Sequence, residues 1–228
     1  CHCQNYFAVA PYIIRLLLAP ILLMHSLLYF GLAKQSAFNG YAEQDRMYLK
    51  TKPPEAFQGN QFTNAFDIYQ VGLTLYRMCV GNKEFYKQFD QYGDLASFDR
   101  AQFRIDILGG RFPDRSVFPE HIPDRLRRVV KKCLQPDPSR RYSAAIQIVN
   151  ELAEIDGMEL DWQFDITNAG ERKWSKMNLK GHEYCLNLDA SGTSTATRKN
   201  DTGRVTRFTE FCSTSLDEAK IRDFLGRY

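Results

Sequence analysis

From Thr63 to Met78 the chain reads Thr-Asn-Ala-Phe-Asp-Ile-Tyr-Gln-Val-Gly-Leu-Thr-Leu-Tyr-Arg-Met, apolar at helical spacing on more than one face. Ile68, Val71, Leu75 and Met78 mark one stripe, with Leu73 and Tyr76 beside it. A helix that is apolar on several faces has to be surrounded by other elements. The sequence therefore predicts a buried central helix around which the neighbouring segments are organised. Thr63 is placed to cap its start, and Gly81 stands where a helix stops. Asp67 is the exception, a carboxylate in the first turn of a buried helix. Interaction with the helix dipole accounts for it on chemistry alone.

A length of 228 residues admits one large domain or two small ones, with enough burial for a real core. Apolar residues at 44% and charged ones at 25% describe an ordinary globular chain, and a net charge of +3 is too slight to argue for nucleic acid or membrane. Of the six cysteines only Cys1 and Cys3 are close-set, and no second pair completes a zinc site. Cys79 and Cys133 fall on helices expected to be buried, so reduced thiols in a cytoplasmic compartment are the expectation.

Residues 6–33 are strongly apolar, and Leu16 to Ala33 is just long enough to be weighed as a membrane span. Arg15 at its edge, with Pro20, His25 and Ser26 inside it, argues against that reading. A membrane anchor through residues 6–33 is the alternative to a cytoplasmic chain. No small-residue cleavage site supports a signal peptide.

Four short motifs surround the central helix in order: Phe30-Gly31; Pro53-Pro54-Glu55; Asp67-x-Tyr69-x-x-Gly72; and Asp137-Pro138-Ser139-Arg140-Arg141. Together they resemble the D-F-G, A-P-E, D-x-[WY]-x-x-G and D-P-x-x-R of the protein kinase family, in particular the C-terminal lobe of a bacterial-type serine/threonine kinase. The resemblance covers residues 30–155 and implies a mainly helical lobe. It also implies that Glu55 pairs with Arg141, that Asp67 holds the catalytic loop, and that 34–51 is the activation segment. Within or beside that segment, Phe30, Gly31, Ser36, Tyr41, Tyr48 and Thr51 stand out, the hydroxyls being read as ordinary loop residues before phosphorylation sites. The intact family uses ATP and magnesium.

The same register sets Ile21-Leu22-Leu23 after the family's catalytic loop, H-R-D-x-K-x-x-N. Arg15 then falls at the catalytic Asp, Leu17 at the Lys and Pro20 at the metal-binding Asn, while Tyr29 replaces the Asp before Phe-Gly. A degenerate or frame-damaged catalytic loop follows. With no Gly-rich loop or N-terminal lobe in the sequence, no bound cofactor is expected for this chain. Its expected partner is another protein or an N-terminal lobe, and not nucleic acid.

Beyond the central helix the sequence predicts a short helix over 99–108 and a helix from Pro123-Asp124 with the stripe Leu126, Val129, Val130 and Cys133. The opposite face of the latter is basic, with Arg125, Arg127, Arg128, Lys131 and Lys132, and is read as solvated. Ser143 is expected to cap a last helix burying Ala145, Ile148, Val149 and Leu152, with Gly157 ending it. Residues 158–228 change texture. Leu160–Ile166, Tyr184–Asp189, Thr193–Arg198 and Arg204–Phe211 read as strands, Asn200-Asp201-Thr202-Gly203 as a hairpin. A capping box at Ser215–Glu218 opens a helix carrying Ile221, Phe224 and Leu225. The expected architecture is thus a degenerate segment 1–29, a mainly α lobe 30–157, and a small α+β module 158–228 with three or four antiparallel strands.

Overall fold

The structure, a computed structural model, describes residues 42–43, 48–59, 61–94, 96–155, 157–167 and 169–228. These fall into two compact units, whose described parts are 42–155 and 157–228. Among the described residues no helix is long and apolar enough to cross a membrane, and the apolar stretch 6–33 lies outside them.

In the first unit a two-residue ladder pairs β1 (Ala42–Glu43) with β2 (Gln61–Phe62). Helix α1 (Asn64–Val80) follows. Thr63 is extended and its hydroxyl accepts from the Ala65 amide at 3.3 Å, and Gly81 stops the helix at φ 82°. Its buried residues are Ala65, Ile68, Tyr69, Gly72, Leu73, Leu75, Tyr76 and Cys79. The buried face is therefore centred on Gly72, and Met78, expected inside, is 41% exposed. Position 72 explains the shift. A Cβ there would stand 2.4 Å from Cys133 Cβ, so the bare backbone is what lets α4 (Asp124–Cys133) come against α1.

Helix α4 buries Leu126, Val129, Val130 and Cys133 as its spacing predicts. Its basic side is less free than the sequence suggested. Arg127 donates to the carbonyls of Pro119, Glu120 and Ile122, and Arg125 faces Glu151 and Glu154 at 3.6 and 3.8 Å. Helix α5 (Ala145–Ala153) buries Ile148 and Leu152, but Ala145 and Val149 are exposed. Ser143 is not its cap. Ala144 is, and the Gln147 side chain instead accepts from the Ser143 amide and hydroxyl at 3.0 and 3.2 Å. The helix stops at Ala153, ahead of Gly157, which opens a 3-10 turn to Leu160.

Two shorter helices, α2 (Asn82–Asp90) and α3 (Arg100–Leu108), enclose an aromatic cluster of Phe85, Phe89, Tyr92, Phe98, Phe103 and Phe112. Asp99 caps α3 by accepting from the Gln102 amide at 2.9 Å. Phe57 joins the cluster edge-on through Phe103, with ring centroids 5.9 Å apart.

The second unit is a five-stranded antiparallel meander: β3 (Gln163–Ile166), β4 (Arg172–Met177), β5 (Glu183–Leu188), β6 (Ser194–Lys199) and β7 (Val205–Arg207), in chain order. That is one strand more than the upper expectation, and β4 is the strand the alternation concealed. Its inward positions are Arg172, Trp174 and Lys176. Arg172 stacks 5.3 Å from the Trp174 ring and Lys176 lies 5.5 Å from the Trp162 ring, so two cations occupy a face that a hydrophobic pattern would fill. Their stems cover apolar surface while the charges rest on aromatic faces.

The hairpins share one design. Gly170, Gly181, Gly192 and Gly203 follow one another at intervals of eleven residues, with φ of 86°, 74°, 88° and 87°. In each five-residue turn the first amide donates to the fifth carbonyl: Thr167 to Glu171, Asn178 to His182, Asp189 to Thr193 and Asn200 to Arg204, at 2.9–3.0 Å. A side-chain oxygen of that first residue accepts from the fifth amide in all four. Helix α6 (Glu218–Arg227) closes the unit. Asp217, rather than Ser215, caps it through the Lys220 amide at 2.8 Å. Ile221, Phe224 and Leu225 pack with Trp162, Trp174, Leu186, Leu188 and Ala196 in one core.

Gly72→Ala tests the α1–α4 approach. Alanine gains up to ~1 kcal/mol in helix propensity, but overpacking at a fixed helix crossing costs ~1–3 kcal/mol. The expected outcome is a lower urea midpoint; an unchanged or raised midpoint would mean that the helices separate freely.

Candidate functional site

Glu55 lies in a 3-10 turn, Pro54–Phe57, entered from an extended Pro53. Arg141 follows another, Pro138–Arg140, whose start is fixed by Asp137 accepting from the Ser139 amide and hydroxyl at 2.9 and 2.7 Å. These bonds, and to a lesser degree Arg140 and Arg141, hold the exposed Asp137 carboxyl below the usual carboxylate range. The proline-bounded turns aim the two side chains at each other. Arg141 Nη1 donates to Glu55 Oε1 and Nη2 to Glu55 Oε2, both at 2.7 Å, in a bidentate fork.

The same guanidinium serves three backbone carbonyls. Nη1 also donates to Ala65 at 2.7 Å, Nη2 to Pro136 at 3.2 Å and Nε to Gln135 at 2.8 Å. All five N–H groups of the arginine are thereby used. Its plane lies 4.9 Å from the buried Tyr69 ring, and its side chain is 0% exposed against 18% for Glu55. One cation thus joins the turn at 55, the first turn of α1 and the segment leaving α4.

The stretch before Glu55 is fastened to the same helix. Gln70 Nε2 donates to the Thr51 carbonyl at 2.6 Å, and the Thr51 hydroxyl donates to the Tyr48 carbonyl at 3.2 Å. Lys50 Nζ lies 4.4 Å from the centre of the Tyr86 ring, and Lys52 Nζ 4.7 Å from that of Phe57. Tyr48 is 69% exposed and Thr51 half-buried.

Asp67 does not join this arrangement. It is exposed in the first turn of α1, where a buried carboxylate was expected, and the catalytic-loop positions expected to partner it lie outside the described residues. It is turned away from the face made by Ala65, Ile68 and Tyr69, at the positive end of the helix where a carboxylate is favourable. Neighbouring chain still desolvates it, which raises its pKa above the ordinary carboxylate value. Arg15, Leu17, Pro20, Tyr29, Phe30 and Gly31, with Ser36 and Tyr41, lie outside the described residues.

Cys79 and Cys133 are buried, and burial pushes both thiols up to about 12, so neither is a nucleophile at neutral pH. Among the described residues no group of three or more His, Cys, Asp or Glu side chains gathers as a metal site. The carbonyl acceptors at Ala65, Gln135 and Pro136 had no sequence signal, because any residue supplies a carbonyl. Gln70 had one only in being a polar residue on a largely apolar helix.

A family model described as protein kinase domain matches residues 24–152, more than half of the chain. The chain belongs to the protein kinase family. It is similar to the dual specificity protein kinase shkA of Dictyostelium discoideum, 31% identical over 103 residues, which is 45% of this chain and 17% of that protein. It is also similar to a probable serine/threonine-protein kinase of the same organism, 27% identical over 120 residues, 50% of this chain and 6% of that one. Human mitogen-activated protein kinase kinase kinase 5 is 24% identical over 162 residues, 70% of this chain and 10% of its own length. The chain thus spans under a fifth of these relatives. No solved structure matches the chain significantly.

In this kinase-family unit the Glu55–Arg141 pair is the site's fixed point. Arg141→Ala strands a carboxylate and three carbonyls, at a cost of ~3–5 kcal/mol typical for breaking a buried pair. Thermal unfolding should shift down by many degrees, or the unit should fail to fold. Arg141→Lys retains the charge but not the fork and is expected to fall between the two. A melting temperature within about a degree of the parent, too small a change for such a loss, would show the pair to be dispensable.

Proposed function

We propose that residues 30–157 are the C-terminal lobe of a serine/threonine protein kinase domain. Its parent activity is ATP-dependent phosphorylation of protein hydroxyls, and the chain as written does not perform that transfer. The observation that carries the reading is the closed Glu55–Arg141 fork, which fastens the stretch 48–57 to α1 and to the chain after α4. In the family that stretch runs from the end of the activation segment into the A-P-E motif. The names of the relatives, a dual specificity kinase and a serine/threonine kinase among them, support transfer to a protein hydroxyl.

The chemistry of residues 1–29 argues for silence. Phosphoryl transfer depends on positioning and charge neutralisation: a Lys on the phosphates, carboxylate and amide oxygens for magnesium, and an Asp to orient the attacking hydroxyl. In the register fixed by Phe30-Gly31 those positions hold Arg15, Leu17, Pro20 and Tyr29. Pro20 and Tyr29 offer magnesium neither a carboxylate nor a side-chain amide oxygen, and Arg15 cannot accept a proton. These residues do not fit ATP with magnesium.

A second reading is a non-catalytic scaffold that binds a protein partner or a separate N-terminal lobe. It is favoured by Glu55 and Arg141 remaining paired in a sequence that has lost the catalytic polar groups. A cytoplasmic location accords with the reduced, buried thiols, and anchoring through 6–33 is its alternative. Calorimetric titration of the chain with ATP and magnesium is expected to give no micromolar binding; such binding would overturn the proposed silence. Translating the DNA upstream of the Phe30 codon in the other two frames separates the two readings. An H-R-D-like loop with its Lys and Asn, and an Asp before Phe-Gly, marks a frame-damaged kinase. Their absence from every frame marks a scaffold.

A further inference from the structure

An open cleft of about 720 Å3 lies in the kinase-family unit beside α3 and α4, and its walls carry Asp106, Arg111, Asp114, Arg115 and Lys131. That volume is in the range that takes a side chain together with part of its backbone. The charges on the walls are unevenly engaged. Asp106 accepts from Tyr92, Gln102 and Arg111, at 2.9, 2.9 and 2.7 Å, and although burial pushes its pKa up these bonds keep it below the usual carboxylate range. Arg111 is thereby neutralised. Asp114 is turned into its own loop, where one carboxylate oxygen accepts from the Ser116 amide at 2.9 Å and hydroxyl at 2.7 Å.

The other two cations have no such partner. Arg115 is half-buried and donates only to carbonyls, from Nη1 to Leu134 at 2.9 Å and from Nη2 to Gly110. Three of its five N–H groups have no acceptor among the described residues. Desolvation lowers its pKa, opposed only through space by Tyr69, Asp114 and Tyr76. Lys131 is exposed, its Nζ 5.9 Å from the Phe118 ring centre, and it forms no ion pair among the described residues. A fixed fork and a mobile point charge therefore line one cleft with more free donors than a carboxylate can accept.

We propose that this cleft is a binding site for a phosphate monoester, presented as a phosphorylated side chain on a peptide partner. Arg115 supplies the fixed donors, anchored by its two carbonyls, and Lys131 closes on the outer oxygens. Binding gives the desolvated guanidinium the anion it lacks, at the cost of displacing water from an already sheltered group. The assignment does not depend on whether the chain transfers phosphate.

The test is an amide-resolved NMR titration of the full chain with phenyl phosphate at constant ionic strength. Saturable shifts are expected at Gly110, Arg111, Ser116 and Gln135. Lys131→Gln, an exposed position whose change leaves the fold intact, should weaken binding about tenfold, the loss of one charge-assisted hydrogen bond. Lys180→Gln, on an exposed turn of the second unit and not part of the cleft wall, should leave it unchanged. Absent or non-saturating shifts at those amides overturn the site, as does equal weakening by both variants, which marks diffuse charge attraction. Benzoate binding as tightly as phenyl phosphate overturns the phosphate assignment in favour of a carboxylate.

Discussion

The helical unit depends on one guanidinium having an acceptor for each of its N–H groups. Moving a cation fully out of water is expensive, and Coulomb attraction to a single carboxylate does not by itself repay it. Arg141 meets the requirement with Glu55 and three carbonyls, contributed by parts of the chain as far apart as residues 55 and 136. A lysine at 141 would bring three donors without the planar fork, so geometry as much as charge selects arginine. Because the acceptors come from a turn, a helix start and a post-helix segment, none of the three can move without uncovering a buried charge. The stretch 48–57 is fastened by that constraint and by the Gln70 bond to Thr51.

Arg115 shows what a less complete solution looks like. It too is drawn out of water and it too bonds to carbonyls, but no carboxylate meets it head-on. The two arginines lie in one unit, the first fully buried with five bonds and the second half-buried with two. Arg141 is spent on architecture, whereas Arg115 lines a cleft with donors to spare. Burial alone does not separate a structural cation from a recognition cation; the tally of satisfied N–H groups does.

Much of the helical unit was legible because its signals are local. Thr63 and Asp99 cap where short polar residues precede apolar periods, and the α4 stripe is buried as spaced. The Glu55–Arg141 contact came from family resemblance, since no local pattern links residues so distant. The misplacements share a cause. Met78 and Val149 fit an apolar period but are exposed, and Asp67 fits a motif whose partner positions lie outside the described residues. Periodicity states which residues could face a core, while close approach at one glycine, Gly72, decides which do. In the second unit β4 escaped because Arg172 and Lys176 point inward onto tryptophan rings, so the strand's polarity pattern misreports its faces.

The recurring turns of the meander have a consequence for how such a sheet can change length. Each strand-plus-turn unit spans eleven residues, as the spacing of Gly170, Gly181, Gly192 and Gly203 shows, and each reverses the direction of the chain. Gain or loss of one unit would therefore deliver all later strands antiparallel to their present course and carry α6 to the opposite end of the sheet. Gain or loss of two, twenty-two residues, restores direction and leaves the helix over the same core. Since every strand bonds only to its neighbours in sequence, such a step disturbs no distant pairing. The quantum of evolutionary growth for this sheet is thus the whole hairpin, and the self-contained hydrogen bonding of each turn is what makes the hairpin a portable unit.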